Sequence, residues 1–108
     1  AAFVFGSGGT GLTLATADGI TDFGTGADQF EFGLAAGSGS NFTDGGAVAD
    51  YAAALAAANT AMNGTVIYAY YQLGGGDHVV FADINGDGTA DQSVILVGGG
   101  TVTSGSFI

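Results

Sequence analysis

Much of the chain alternates between apolar and polar residues with a period of two, as half-buried strands do. Residues 2–5 (AFVF) form a short strand candidate closed by Gly6. Residues 7–11 read as a glycine-rich turn and 12–15 as another strand. In 19–23 (GITDF), alternation puts Ile20 on one face and Thr21 and Phe23 on the other. Residues 29–34 (QFEFGL) alternate most cleanly, with Phe30, Phe32 and Leu34 opposite Gln29 and Glu31. Residues 37–46 are rich in Gly, Ser and Asn and read as a loop.

The period then changes once. Val48, Tyr51, Leu55, Ala58 and Met62 recur at helical spacing, with alanine at most positions between them. This predicts a helix over about residues 47–62. Thr43 or Asp44 is the expected cap, and Asn63-Gly64 the stop. Alanines stand where charges normally would, so the outer face of this helix expects a packing partner. Period two returns in 65–71 (TVIYAYY), 78–83 (HVVFAD) and 92–97 (QSVILV), with a last short strand over 106–108. The Tyr and Phe residues fit core and cross-strand packing better than ligand stacking.

The expected fold is therefore mainly β in a single domain over residues 1–108. It consists of β-roll-like or β-sandwich-like antiparallel strands with one alanine-rich α-helix. Residues 1–34 supply β-roll-like strands, 35–64 a loop and the helix, and 65–108 a β-meander.

Charge narrows the function. The 108 residues include ten acids, one His and neither Lys nor Arg, for a net charge of −10. Such a surface cannot neutralise phosphates, which excludes nucleic acid as a partner, and anionic membranes repel it. The most apolar stretch is too short to span a bilayer. Every carboxylate must be solvated, capped by backbone N–H groups, protonated or held by a metal cation. There is no Cys, so a secreted chain of this kind needs another staple, and calcium is a common one. Both ends read as strands and no signal peptide is evident, so a processed product or part of a longer chain is expected.

The acids gather in two places. Residues 83–91 read DINGDGTAD. Counting Asp83 as first, oxygen ligands fall at Asp83, Asn85, Asp87, the Thr89 carbonyl and Asp91, with Gly88 at the sharp turn. An EF-hand would carry Glu where Val94 stands, and helices rather than strands would flank it. The loop thus offers part of the set of about six to eight oxygens that calcium takes. The competing reading is a hairpin turn, since Asn-Gly and Asp-Gly are turn pairs for backbone reasons alone. The lack of any protein cation favours calcium. The second cluster is Asp18, Asp22 and Asp28 around GTGAD, where glycines let carbonyls face a cation. Its alternative is a glycine-rich turn with solvated aspartates. Asp44 and Asp50 fit helix capping. His78 stands without a second His or Cys and reads as ending a strand. No nucleophile, phosphate-loop or zinc motif is present, so the chain is read as not an enzyme. Asn41 and Asn63 head Asn-x-Thr sequons, a frequent chance match.

Two further patterns add to this. F-x-F-G occurs near the start and again at residues 30–33. Residues 7–15 and 24–30 carry the glycine rhythm of a nine-residue calcium repeat, the second with its aspartate, Asp28, in place. Residues 3–33, with DGITDF followed by GTGADQFEFG, resemble the segment that closes the calcium β-roll of repeats-in-toxin (RTX) proteins. Residues 79–108 resemble the end of the same region, where a strand, D-x-N-G-D-G-x-A-D and a second strand precede an apolar end. No full G-G-x-G-x-D array is present. The resemblance implies a bacterial protein exported by type I secretion whose C-terminal region folds on meeting extracellular calcium. That family includes toxins, proteases, lipases, adhesins and surface-layer proteins. The resulting expectation is a non-enzymatic, calcium-stabilised extracellular structural module, secreted or at the cell surface. The alternative is a self-assembling surface-layer or filament subunit, with copies of itself as partner.

Overall fold

A computed structural model describes residues 2–4, 17–21, 23 and 28–108, apart from the side chains of Ala2, Val4 and Asp18. The strand expected over 12–15 lies outside these residues. The fold is mainly β with one helix, as expected. In chain order the strands are β1 (Ala2–Val4), β2 (Asp18–Ile20), β3 (Gln29–Glu31), β4 (Phe42–Ala47), β5 (Tyr68–Gln72), β6 (His78–Ala82) and β7 (Gln92–Leu96). The helix α1 spans Tyr51–Ala61.

Five strands form one sheet in the order β2-β7-β6-β5-β4. The β5–β6–β7 meander is antiparallel, with Tyr70 opposite Val80 and Val80 opposite Val94. Both outer pairs, β2–β7 and β4–β5, are parallel, so the sheet is mixed rather than antiparallel throughout. The parallel β4–β5 pair needs a crossover, and α1 provides it. Residues 42–47 are therefore a strand where composition reads as loop. Glycine is a poor strand former, but the Tyr71 ring packs against Gly45 so closely that a Cβ there would lie 1.9 Å from Tyr71 Cε1. A register shift between Asp44 and Ala47 kinks this edge strand.

The strand also moves the start of the helix. Thr43 and Asp44 pair within β4, and the cap is Asp50, whose carboxylate accepts the Ala53 N–H at 2.9 Å. The Asp44 carboxylate instead accepts the Gly46 N–H at 3.0 Å. Of the expected apolar stripe, Tyr51, Ala58 and Met62 are buried together with Ala54, Leu55 is half-buried, and Val48 precedes the helix. The outer alanines Ala52 and Ala56 are exposed.

The sheet is covered on both faces, and strand alternation sorts its residues between them. Ala69, Tyr71, Val79, Phe81 and Ile95 face α1. Tyr68, Tyr70, Val80, Ala82, Val94 and Leu96 face a second layer made of Phe23, Phe30, Phe32, Val102 and Phe107. That layer contains a two-stranded parallel sheet in which Phe3 of β1 pairs with Phe30 of β3, the first aromatic of each F-x-F-G copy. Phe23 joins Ile20 in this layer instead of opposing it, because β2 stops at Ile20 and alternation no longer applies beyond it. The strand expected at 106–108 is a 3-10 turn over Ser104–Ser106 followed by a single bridge from Phe107 to Phe30. Phe107 stacks on Tyr68 with ring centroids 4.0 Å apart.

Candidate metal centre

The loop over residues 83–91 joins β6 to β7. Its two glycines carry the reversal: Gly86 has φ 71° and Gly88 φ 84°, conformations that a Cβ disfavours. Asp83 anchors the loop. It is 1% exposed, and its backbone N–H donates to the Ile67 carbonyl at 2.9 Å. Its Oδ1 accepts the Gly86 N–H at 2.9 Å and its Oδ2 the Gly88 N–H at 3.0 Å. Asp91 closes the other end. Its Oδ2 accepts the Ile84 N–H at 2.8 Å, and its own N–H donates to the Ala82 carbonyl at 2.8 Å. Asn85 Oδ1 accepts the Asp87 N–H at 3.2 Å. Asp87 Oδ1 accepts the Thr89 N–H at 3.0 Å and the Thr89 hydroxyl at 2.9 Å. The Thr89 N–H, and then its hydroxyl, hold the Asp87 carboxyl below its ordinary value of 3.8. Asp87 therefore keeps its charge into more acidic solution than a free aspartate.

One carboxylate oxygen each from Asp83, Asp87 and Asp91 lies within 4.8 Å of the others. Calcium–oxygen distances are about 2.3–2.6 Å, so oxygens on one ion stand at most about 5 Å apart, and this spacing suits a shared cation. A carboxylate oxygen that accepts one N–H keeps a further lone pair. The same bonds also satisfy the hairpin-turn reading, in which the acids cap backbone donors. Asn85 and Thr89, expected as ligands, are seen ordering the loop and the Asp87 side chain.

The second predicted cluster lies partly outside the described residues. Asp18 lies on β2, with its backbone paired to Val94. Asp28 is half-buried beside β3, and Asp22 lies outside the described residues. The helix contributes to the first site in a way the spacing does not announce. Asn59 Oδ1 accepts the Ala90 N–H at 2.8 Å, and a Cβ on Gly88 would lie 3.6 Å from the Met62 carbonyl oxygen. The acidic loop thus rests on the C-terminal end of α1. A polar residue within an alanine run was the signal available for Asn59.

His78 also has partners that the sequence does not reveal. It opens β6 rather than ending a strand, and its Nδ1–H donates to the Gly100 carbonyl at 2.7 Å. The Tyr70 hydroxyl lies 2.6 Å from that nitrogen and donates to the same carbonyl at 2.6 Å. The neighbouring Asp77 Oδ1 accepts the Gly98 N–H at 2.9 Å. Together these bonds pin the segment after β7 against the end of the β5–β6 hairpin.

No family model, curated protein or solved structure matches this chain. The likeness to RTX C-terminal regions rests on its motifs alone.

Proposed function

We propose that this chain is a non-enzymatic, extracellular structural module stabilised by calcium at the loop over residues 83–91. The observation that carries this reading is the convergence of Asp83, Asp87 and Asp91 in a chain with no Lys or Arg to offset them. The loop connects two central strands, so a cation there would stiffen the β6–β7 register. Its role is mechanical: it draws together like charges that otherwise repel across a short turn. The test is calcium titration of chelated protein, followed by far-UV circular dichroism and thermal melting. Calcium raises the melting temperature in a concentration-dependent way, as any ligand of the native state does. Asp87→Asn, at an exposed position, weakens that response. A melt indifferent to both calcium and chelator removes the proposal.

A second reading, self-assembly into a surface layer or filament, draws support from the exposed alanines Ala52 and Ala56 on the outer face of α1. Sedimentation at high concentration with calcium separates the two readings. A strictly monomeric particle leaves the structural module alone standing.

A further inference from the structure

The chain holds two Asn-Gly pairs, Asn63-Gly64 just beyond α1 and Asn85-Gly86 in the acidic loop. In an Asn-Gly pair the glycine nitrogen can attack the asparagine side-chain carbon, because no Cβ on the glycine blocks the approach. The folded chain treats the two pairs oppositely. Asn63 and Gly64 are both exposed. The Asn63 Oδ1 accepts the Thr65 N–H and the Val66 N–H, each at 3.0 Å. Two backbone donors on one carbonyl oxygen stabilise the charge that oxygen gains on attack, as an oxyanion hole does. The nucleophile is also available, since the Gly64 N–H has no hydrogen-bond partner among the described residues. At the other pair, Asn85 Oδ1 has one donor among the described residues, the Asp87 N–H at 3.2 Å. Its would-be nucleophile, the Gly86 nitrogen, is tied to Asp83 Oδ1 at 2.9 Å. Removing that proton would set a nitrogen anion against a carboxylate.

We infer that Asn63 is a site of self-modification, converting to aspartate and isoaspartate, and that Asp83 shields Asn85 from the same reaction. A base in solution takes the Gly64 N–H proton. The nitrogen forms a bond to Asn63 Cγ while the carbonyl electron pair moves onto Oδ1. That pair returns and expels the side-chain nitrogen, which leaves protonated as ammonia. Water then opens the five-membered imide at either carbonyl, giving the two acids. The product places a new negative charge past the C-terminal end of α1, where the helix dipole opposes it, and beside the acidic loop that rests there. The inference stands whether or not the loop holds calcium.

The test follows both asparagines over time in mildly alkaline buffer, by intact mass and electron-transfer fragmentation. Tryptic mapping is ruled out because the chain has no Lys or Arg. Parallel samples in strong urea open both pairs equally. The ratio of Asn63 to Asn85 conversion in the folded protein is expected to exceed the urea ratio by about tenfold or more, the factor that a hydrogen bond to a charged group supplies. An equal ratio in the two conditions, or earlier conversion of Asn85 in the fold, overturns the inference. Asn63→Gln closes its larger ring far more slowly and should abolish the early charge gain of the folded protein. Persistence of that gain overturns it as well.

Discussion

The two faces of the five-stranded sheet are packed by opposite means. On one side α1 lays small residues against the strands, with Ala54 and Ala58 fully buried against a surface that includes Ala69, Phe81 and Ile95. Its contacts come mostly from residues 51–95, a continuous stretch of chain. On the other side the filling is aromatic. Phe23 stacks on Phe30 at 4.7 Å, Phe30 on Phe107 at 5.4 Å and Phe107 on Tyr68 at 4.0 Å, so rings from both ends of the chain meet over the central strands. The helix face is held by close backbone approach and local sequence. The aromatic face is held by a few large groups far apart in sequence, each carrying more of the burial energy. One face therefore degrades gradually under substitution, and the other depends on single residues.

Titration with alkali addresses both faces at once and has the largest expected effect. Burial raises the hydroxyls of Tyr68 and Tyr71 above their ordinary 10.0. Burial does the same at Tyr51, opposed by the hydrogen bond with Ser93. At Tyr70 burial and then the Asp44 charge raise the hydroxyl, against a backbone hydrogen bond from Val102. A folded value above the unfolded one means the stabilisation is complete below 10.0 and is lost as pH rises through the folded values. Tyr51 and Tyr71 lie on the helix face, Tyr68 and Tyr70 on the aromatic one. Tyrosinate absorbance and circular dichroism should therefore change together in one transition. Two separated steps would show that the faces unfold independently.

Next in size is Phe107→Ala, expected to cost about 3–5 kcal/mol by chemical denaturation, as for other fully buried aromatic rings. A loss near that of a surface change would mean the C-terminal segment is not part of the core. The smallest effect falls on the helix face. Asp50→Ala removes the cap that accepts the Ala53 N–H and should cost about 1 kcal/mol in the same assay. A cost matching that of Phe107→Ala would erase the contrast between the faces.

The helix face was the more legible of the two in the sequence. The spacing of Tyr51, Ala58 and Met62 announced a helix, and the β-branched and aromatic runs with their glycine turns announced β5, β6 and β7. The F-x-F-G echo pointed to Phe3 and Phe30 without saying that they pair. What stayed hidden was long-range pairing. Residues 42–47 carry two glycines and an aspartate, and they become a strand only because β5 and the α1 crossover supply a partner. The candidate metal loop was legible in its acids and its turns. Its internal use of Asp83, which ties down both loop glycines, was not, because spacing identifies an oxygen ligand but not the hydrogens already bound to it.

The pairing of β2 with β7, and of Phe30 with Phe107, also has a kinetic consequence. A chain delivered N-terminus first exposes its early aromatic residues long before the partners that cover them have been made. Closing such distant contacts carries the loop entropy that slows folding, so this half of the molecule must wait for residues 92–107 to emerge. Until then its acidic residues repel one another along the extended strand and act against premature collapse and clumping.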